Sequence, residues 1–228
     1  MEVEAHVTDA VGTGGLFIAF EGGEGAGKST HLRRLTERLD RLGVAHLLVR
    51  EPGGTPAGER IRQIVLDPET PIVAETELLL YLASRAEFVS RVVRPALERG
   101  ELVLADRFEM STYAYQGLAR GLGLDRVKDL NAFATGGLKP DGTVLLALDA
   151  DVGRGRQRGQ ADRLEQEHAD FHRAVSRAYA ALAESEPGVI TIHSDGPLEE
   201  VQDRLWEALS ERWPDRFPPR GVKPFGSP

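Results

Sequence analysis

Short unbroken apolar runs alternate along this chain with longer stretches in which apolar residues recur every three or four positions. Leu16–Phe20 is such a run and predicts a buried strand. From Lys28 to Leu42, residues Leu32, Leu35, Leu39 and Leu42 share one helical face, and Gly43 supplies a stop. Val44–Val49, Leu102–Ala105, Val144–Leu148 and residues 189–192 read as four further strands. Helical spacing covers 74–99, with Pro95 kinking or dividing it, then 110–120, 124–135, 163–185 and 197–212. Residues 50–58 hold Pro52, Gly53, Gly54, Pro56 and Gly58 and read as a loop. Strands that are apolar throughout, alternating with helices, predict an α/β domain: a five-stranded parallel sheet with helices on both faces. Three parts are expected: a flexible leader over 1–15, the folded domain over 16–213, and a proline-rich, poorly ordered tail over 214–228.

Composition narrows the partners. A chain of 228 residues suits one domain. It has no cysteine, which excludes a disulfide framework, a cysteine nucleophile and thiolate metal sites. Lys+Arg 28 against Asp+Glu 36 leaves a net charge of −8, which argues against nucleic acid as a partner. No apolar run approaches the roughly 20 residues of a membrane helix. Met1–Gly15 has neither a basic nor an apolar region of a signal peptide, so the expected address is cytoplasmic, with no membrane partner.

The sharpest signal is Gly22-Gly23-Glu24-Gly25-Ala26-Gly27-Lys28-Ser29-Thr30, between a strand and an amphipathic helix. It matches G-x-x-x-x-G-K-[ST], the phosphate-binding loop. Small residues let backbone N–H groups converge on phosphate oxygens, and the helix N-terminus adds positive potential. In such a loop Lys28 reaches the outer phosphates of ATP and the Ser29 hydroxyl binds Mg²⁺. The motif selects a nucleoside triphosphate but no particular chemistry. GTPase chemistry wants D-x-x-G and N-K-x-D. Asp106 is followed by Arg107, Phe108 and Glu109 instead, and N-K-x-D is absent.

Five blocks in order carry a family resemblance. Phe20–Thr30, Arg50-Glu51-Pro52-Gly53-Gly54-Thr55, Leu79–Arg85, Asp106–Gly117 and Arg154–Arg163 resemble signatures of the thymidylate kinases. The resemblance spans about residues 16–210 and implies a P-loop nucleoside monophosphate kinase fold. It implies phosphorylation of dTMP to dTDP by MgATP, without a covalent intermediate, in a homodimer. It assigns Arg107 to the acceptor phosphate, which a planar guanidinium can grip with two parallel hydrogen bonds. Asp106 orients Mg²⁺-bound water or the loop hydroxyl; the residues alone also allow a cap, or an Arg107–Asp106 salt bridge. Tyr81 stacks on thymine and Arg85 bonds its O4, where many relatives carry phenylalanine for Tyr81. Tyr115 packs under the deoxyribose, Thr112 and Gln116 contact base or sugar, Glu24 lies near the 3′-hydroxyl and metal, and Arg50 reaches the substrate phosphate. A cis bond at Pro52 stays open.

Thymidylate kinases resemble one of two arrangements: a basic residue inside the phosphate loop, or a glycine there and an arginine from a lid. Gly25 together with Arg154, Arg156 and Arg158 resembles the second, bacterial arrangement, with a lid at about 151–162; Arg158 is favoured as the catalytic arginine, and Arg154 and Arg156 stay open. Two rivals share the motifs: a nucleoside or other nucleotide kinase, and a non-catalytic nucleotide-binding subunit. His168 and His172 lack a third metal ligand and read as solvated or capping. Glu165 and Glu167 read as surface residues, and Trp206 and Trp213 as packing.

Overall fold

The computed structural model describes residues 14–156 and 162–219. Parallel pairing sets β1 (Leu16–Glu21), β2 (His46–Arg50), β3 (Leu102–Asp106), β4 (Gly142–Ala147) and β5 (Val189–His193) in the order β2-β3-β1-β4-β5. All six residues of β1 are buried, as a central strand requires when both faces are covered. Leu16, Ile18 and Phe20 face α1 (Lys28–Arg41) and α9 (Leu198–Arg212), packing with Leu32, Leu35, Leu205 and Leu209. Phe17 and Ala19 face the opposite layer, where α3 (Ala74–Phe88) and α4 (Arg94–Glu98) contribute Phe88 and Ala96. The order reverses direction around β1, and such a switch point opens a crevice beyond the carboxyl ends of the strands. Among the described residues, no helix is long and apolar enough to cross a membrane.

Several expectations change. Residues 50–58 are not all loop, because α2 (Pro56–Leu66) begins within them. Thr55 caps it through a hydrogen bond from Gly58 N at 2.9 Å, and Pro56 opens its first turn, where a missing N–H costs nothing. The 74–99 stretch is divided, as expected, with a π turn at Val89–Val93 just before Pro95, which falls in the first turn of α4. The 110–120 stretch is α5 (Glu109–Thr112) followed by a π turn, Tyr113–Ala119, and the expected 124–135 helix is α6 (Leu124–Thr135). The glycine–arginine segment opens with α7 (Ala150–Arg156), and 163–167 turns before α8 (Ala169–Ser185).

The tail also departs from its expectation over 214–219. Phe217 is fully buried and meets Trp206 edge-on at 5.7 Å, while Ser210 Oγ donates to the Phe217 carbonyl at 2.6 Å. The leader through residue 13, residues 157–161 and residues 220–228 lie outside the described residues. Truncating a buried phenylalanine costs about 3–5 kcal/mol. Phe217→Ala is therefore expected to lower unfolding free energy by about that much in urea melts. A change within experimental error would show that this segment is not core.

Candidate active site

β1 delivers the chain into the glycine loop. Gly25 has φ 69° and Gly27, the residue before α1, has φ 83°, a region that side-chain-bearing residues avoid. Lys28 is buried in the loop's hollow, with Nζ donating to the carbonyls of Gly22 at 3.0 Å and Gly23 at 2.9 Å. Burial pushes its ammonium down to about 7. Arg107 presses the same way, and Asp106, Glu21 and Glu24 oppose. The Ser29 hydroxyl donates to Asp106 Oδ2 at 2.9 Å, joining the start of α1 to the end of β3. Thr30 is exposed, and Ala26 is buried in the core.

Glu21, at the end of β1, is a buried anchor that sequence reading passes over. It accepts from Phe108 N at 2.8 Å, Ser111 N at 3.1 Å and Tyr179 Oη at 3.1 Å, and also from the Ser111 hydroxyl. Burial raises its pKa; Ser111 and Arg107 resist that rise. The turn it holds places Arg107 at φ 74°, a left-handed conformation that costs a non-glycine residue on the order of 1–3 kcal/mol. In that conformation the Arg107 guanidinium crosses the mouth of the loop. Its NH1 donates to Gly22 O at 3.1 Å, Ser111 Oγ at 3.1 Å and Tyr179 Oη at 3.3 Å.

Beyond Arg107 lies a cleft of about 110 Å³. Tyr81, Arg85, Thr112, Tyr115 and Gln116 all line it, together with Glu24 and Arg107. Arg85 is more heavily engaged than sequence suggests. Nε donates to Glu51 Oε2 at 2.8 Å, NH1 to Asn131 Oδ1 at 2.7 Å and NH2 to the Phe108 carbonyl at 3.0 Å. A guanidinium carries five N–H groups, so a ligand can still be met, by an arginine already oriented. Gln116 spends its amide nitrogen on Glu77 at 2.7 Å and keeps its oxygen. Burial pushes Glu77 up, but hydrogen bonds from Arg120 and Gln116 prevail and hold it below its usual range.

Arg50 does not join the cleft lining. Its side chain is 57% exposed and bonds Glu59 at 3.1 Å. Arg62 on α2 lines the cleft instead, donating to the Pro52 carbonyl at 3.0 Å. The Glu51–Pro52 bond is cis. Glu51 also lines the cleft, and its Oε1 is buried without a hydrogen-bond partner among the described residues.

The far wall corrects two readings. His172 is buried, and its Nδ1 lies 3.5 Å from Glu24 Oε2. Glu165 lines the cleft together with Asp162, while Glu167 pairs with Arg120 at 2.6 Å. Burial raises the Glu24 pKa; Glu165 and Asp162 add to the rise, and His172 and Arg107 counter it. Trp206 packs as expected, and His168 precedes α8 in an exposed position. Of the expected lid arginines, Arg156 donates to the Ser194 carbonyl at 3.3 Å. Arg158 and the side chain of Arg154 lie outside the described residues.

Two compartments thus meet at Arg107: the glycine loop with Lys28 in its hollow, and a cleft with an aromatic wall and guanidinium groups. The Ser29–Asp106 pair suits Mg²⁺, which binds one or two protein oxygens and completes its octahedron with phosphates and water. Among the described residues there is no cluster of three or more candidate metal ligands, so such an ion depends on the nucleotide for most of its shell.

A parallel α/β sheet with this loop at its switch point is the frame of the P-loop proteins, and with the family match that follows it is a P-loop nucleoside monophosphate kinase fold. Residues 20–205 match the family model described as thymidylate kinase. A thymidylate kinase of Deinococcus radiodurans is 51% identical over 201 residues, 87% of this chain and 98% of the relative. One from Synechococcus sp. (strain JA-3-3Ab) is 49% identical, covering 86% and 96%. One from Pseudomonas fluorescens (strain Pf-5) is 50% identical, covering 86% and 96%. The chain belongs to the thymidylate kinase family.

Burial pushes the Glu51 carboxyl up to about 7; Arg85 opposes, while Glu21 and Glu109 add to the rise. A carboxyl whose folded pKa is raised stabilises fully below its unfolded pKa of 4.5, and that contribution is lost as pH rises through about 7. Glu51→Gln removes this titration. Its stability relative to the unsubstituted chain should rise between pH 4.5 and pH 8, by roughly 3 kcal/mol at most. Parallel urea melts at the two pH values would read it, and an unchanged difference would contradict it.

Proposed function

We propose that this chain transfers the γ-phosphoryl group of ATP to dTMP, giving ADP and dTDP. The carrying observation is Arg107, whose guanidinium lines the cleft while bonding the Gly22 carbonyl of the phosphate loop. An acceptor phosphate held there lies beside the triphosphate, and one of its oxygens attacks the γ-phosphorus as the bond to ADP breaks. Most of the catalysis is positioning and charge neutralisation, with no covalent intermediate. Lys28 returns from its loop carbonyls to the outer phosphates. Ser29 and Asp106 would hold Mg²⁺, which would supply charge neutralisation at the phosphates.

Base selection follows from the cleft wall. Tyr81 offers an aromatic face, and the oriented Arg85 offers N–H groups to a base carbonyl such as O4. Tyr115 lies beneath the sugar, with Thr112 and the remaining oxygen of Gln116 alongside. Glu24 faces a sugar hydroxyl or the cation-rich phosphates. The reaction belongs to the cytoplasm, where ATP and the monophosphate are dissolved together.

A coupled ADP-release assay with dTMP, dUMP, dCMP, dGMP, AMP and thymidine tests the reading. Preferential turnover of dTMP is expected. ATP binding with no turnover of any monophosphate would overturn it in favour of a nucleotide-binding subunit. Arg107→Ala is expected to lower kcat/KM for dTMP by on the order of 10²–10³, the loss typical of one aligned donor at a reacting charge.

The reading includes a homodimer joined through helices. Its support is apolar surface left open on two helices that pack together, with Leu79 of α3 58% exposed and Phe133 of α6 87% exposed. Phe133→Asp is expected to shift the mass from dimer to monomer by light scattering. An unsubstituted chain already monomeric at assay concentration would remove the dimer from the proposal.

A further inference from the structure

α7 touches the phosphate loop backbone to backbone. A Cβ built on Gly153 would stand 2.2 Å from the Glu24 carbonyl oxygen, and one built on Gly25 would stand 2.0 Å from the Gly153 carbonyl oxygen. Real Cβ atoms do not approach backbone oxygens so closely, because the repulsive wall is steep and neither partner is a flexible side-chain tip. Gly153 is buried, and its N–H is already spent on Asp149 O at 2.9 Å, so the contact is one of shape. A Cβ built on Gly155, two residues on in the same helix, meets nothing within 4 Å among the described residues. The two glycines share a helix and a chemistry and differ in what they face.

The contact also explains why position 25 bears no side chain. Its φ of 69° asks for glycine, and the space a side chain would enter is filled by α7. On the other side, Glu24 is met by His172 of α8 at 3.5 Å. This stretch of the loop therefore meets α7 through its backbone and α8 through the Glu24 carboxylate.

We propose that Gly153 is a positioning residue for the phosphate loop: its bare Cα lets α7 seat on the Glu24–Gly25 peptide and keeps the loop shaped for a triphosphate. The inference rests on reading 22–29 as the triphosphate cradle. Gly153→Ala displaces that peptide and spoils the convergence of backbone N–H groups on phosphate oxygens. Alanine favours helix over glycine at both 153 and 155, so propensity alone moves both variants alike.

The test is calorimetric binding of a non-hydrolysable MgATP analogue, with melting temperature and dTMP affinity measured beside it. Gly153→Ala should weaken analogue binding at least tenfold, with dTMP affinity unchanged and the chain still folded at the assay temperature. Gly155→Ala should bind as the unsubstituted chain does. Gly25→Ala should weaken binding too, and the double variant should lose less than the product of the single losses, because one contact is broken twice. Equal binding by Gly153→Ala and Gly155→Ala would overturn the proposal. So would a loss at Gly153 matched by a lowered melting temperature and weakened dTMP binding, which would mark a general packing role. Direct binding keeps the test separate from the reaction: an unsubstituted chain that binds the analogue but fails to turn over dTMP sinks the kinase reading alone.

Discussion

Glu21 stands at the carboxyl end of the central strand with no access to water, and a carboxylate in such a place must be matched by donors. Those donors come from the turn after β3 and from α8: Phe108 N, Ser111 N, the Ser111 hydroxyl and Tyr179 Oη. One buried acceptor thereby joins the phosphate strand, the acceptor-side turn and the helix behind them. The left-handed backbone at Arg107 is a consequence. Satisfying Glu21 bends the chain there, and the strain is carried by the surrounding hydrogen bonds. Arg107 then has one reachable place, across the loop mouth.

The electrostatics follow from that frame more than from bulk composition. A net charge of −8 is a poor guide to a site that meets two anions, because exposed charges beyond roughly 8 Å are screened at physiological salt. Inside the cleft, Arg62, Arg85 and Arg107 stand among Glu24, Glu51, Asp162 and Glu165. Arg85 pairs with Glu51 at 2.8 Å, which leaves Arg62 and Arg107 as the cleft guanidiniums bonded to carbonyl or hydroxyl oxygens. Lys28 shows the same economy. Between loop carbonyls its ammonium is poorly solvated and its pKa falls towards 7.

Local signals account for much of what the chain revealed in advance. Unbroken apolar runs marked the five strands and the parallel sheet, since a strand buried on both faces has no polar alternation to show. Glycine spacing marked the phosphate loop. The losses have physical reasons too. The α2 helix was hidden by prolines and glycines at 52–58, although Thr55-Pro56 is a helix-start signal. With α2 hidden, the local spacing gives no reason to single out Arg62, which the fold brings to the cleft. The prolines around Phe217 suggest a poorly ordered segment, yet its ring packs edge-on against Trp206.

By itself the sequence determined the layer architecture, the glycine loop and most of the residues that line the cleft beside it, among them Tyr81, Arg85, Arg107 and Tyr115. Those properties depend on periodicity and short-range spacing, which are written in order along the chain. Tertiary structure alone decided that Arg85 is held by Glu51 and Asn131, that Arg50 turns towards Glu59, that His172 faces Glu24, and that Gly153 lies against Gly25. Each of those is a meeting of residues from different elements, settled by where packed layers leave room and by which buried polar groups find partners.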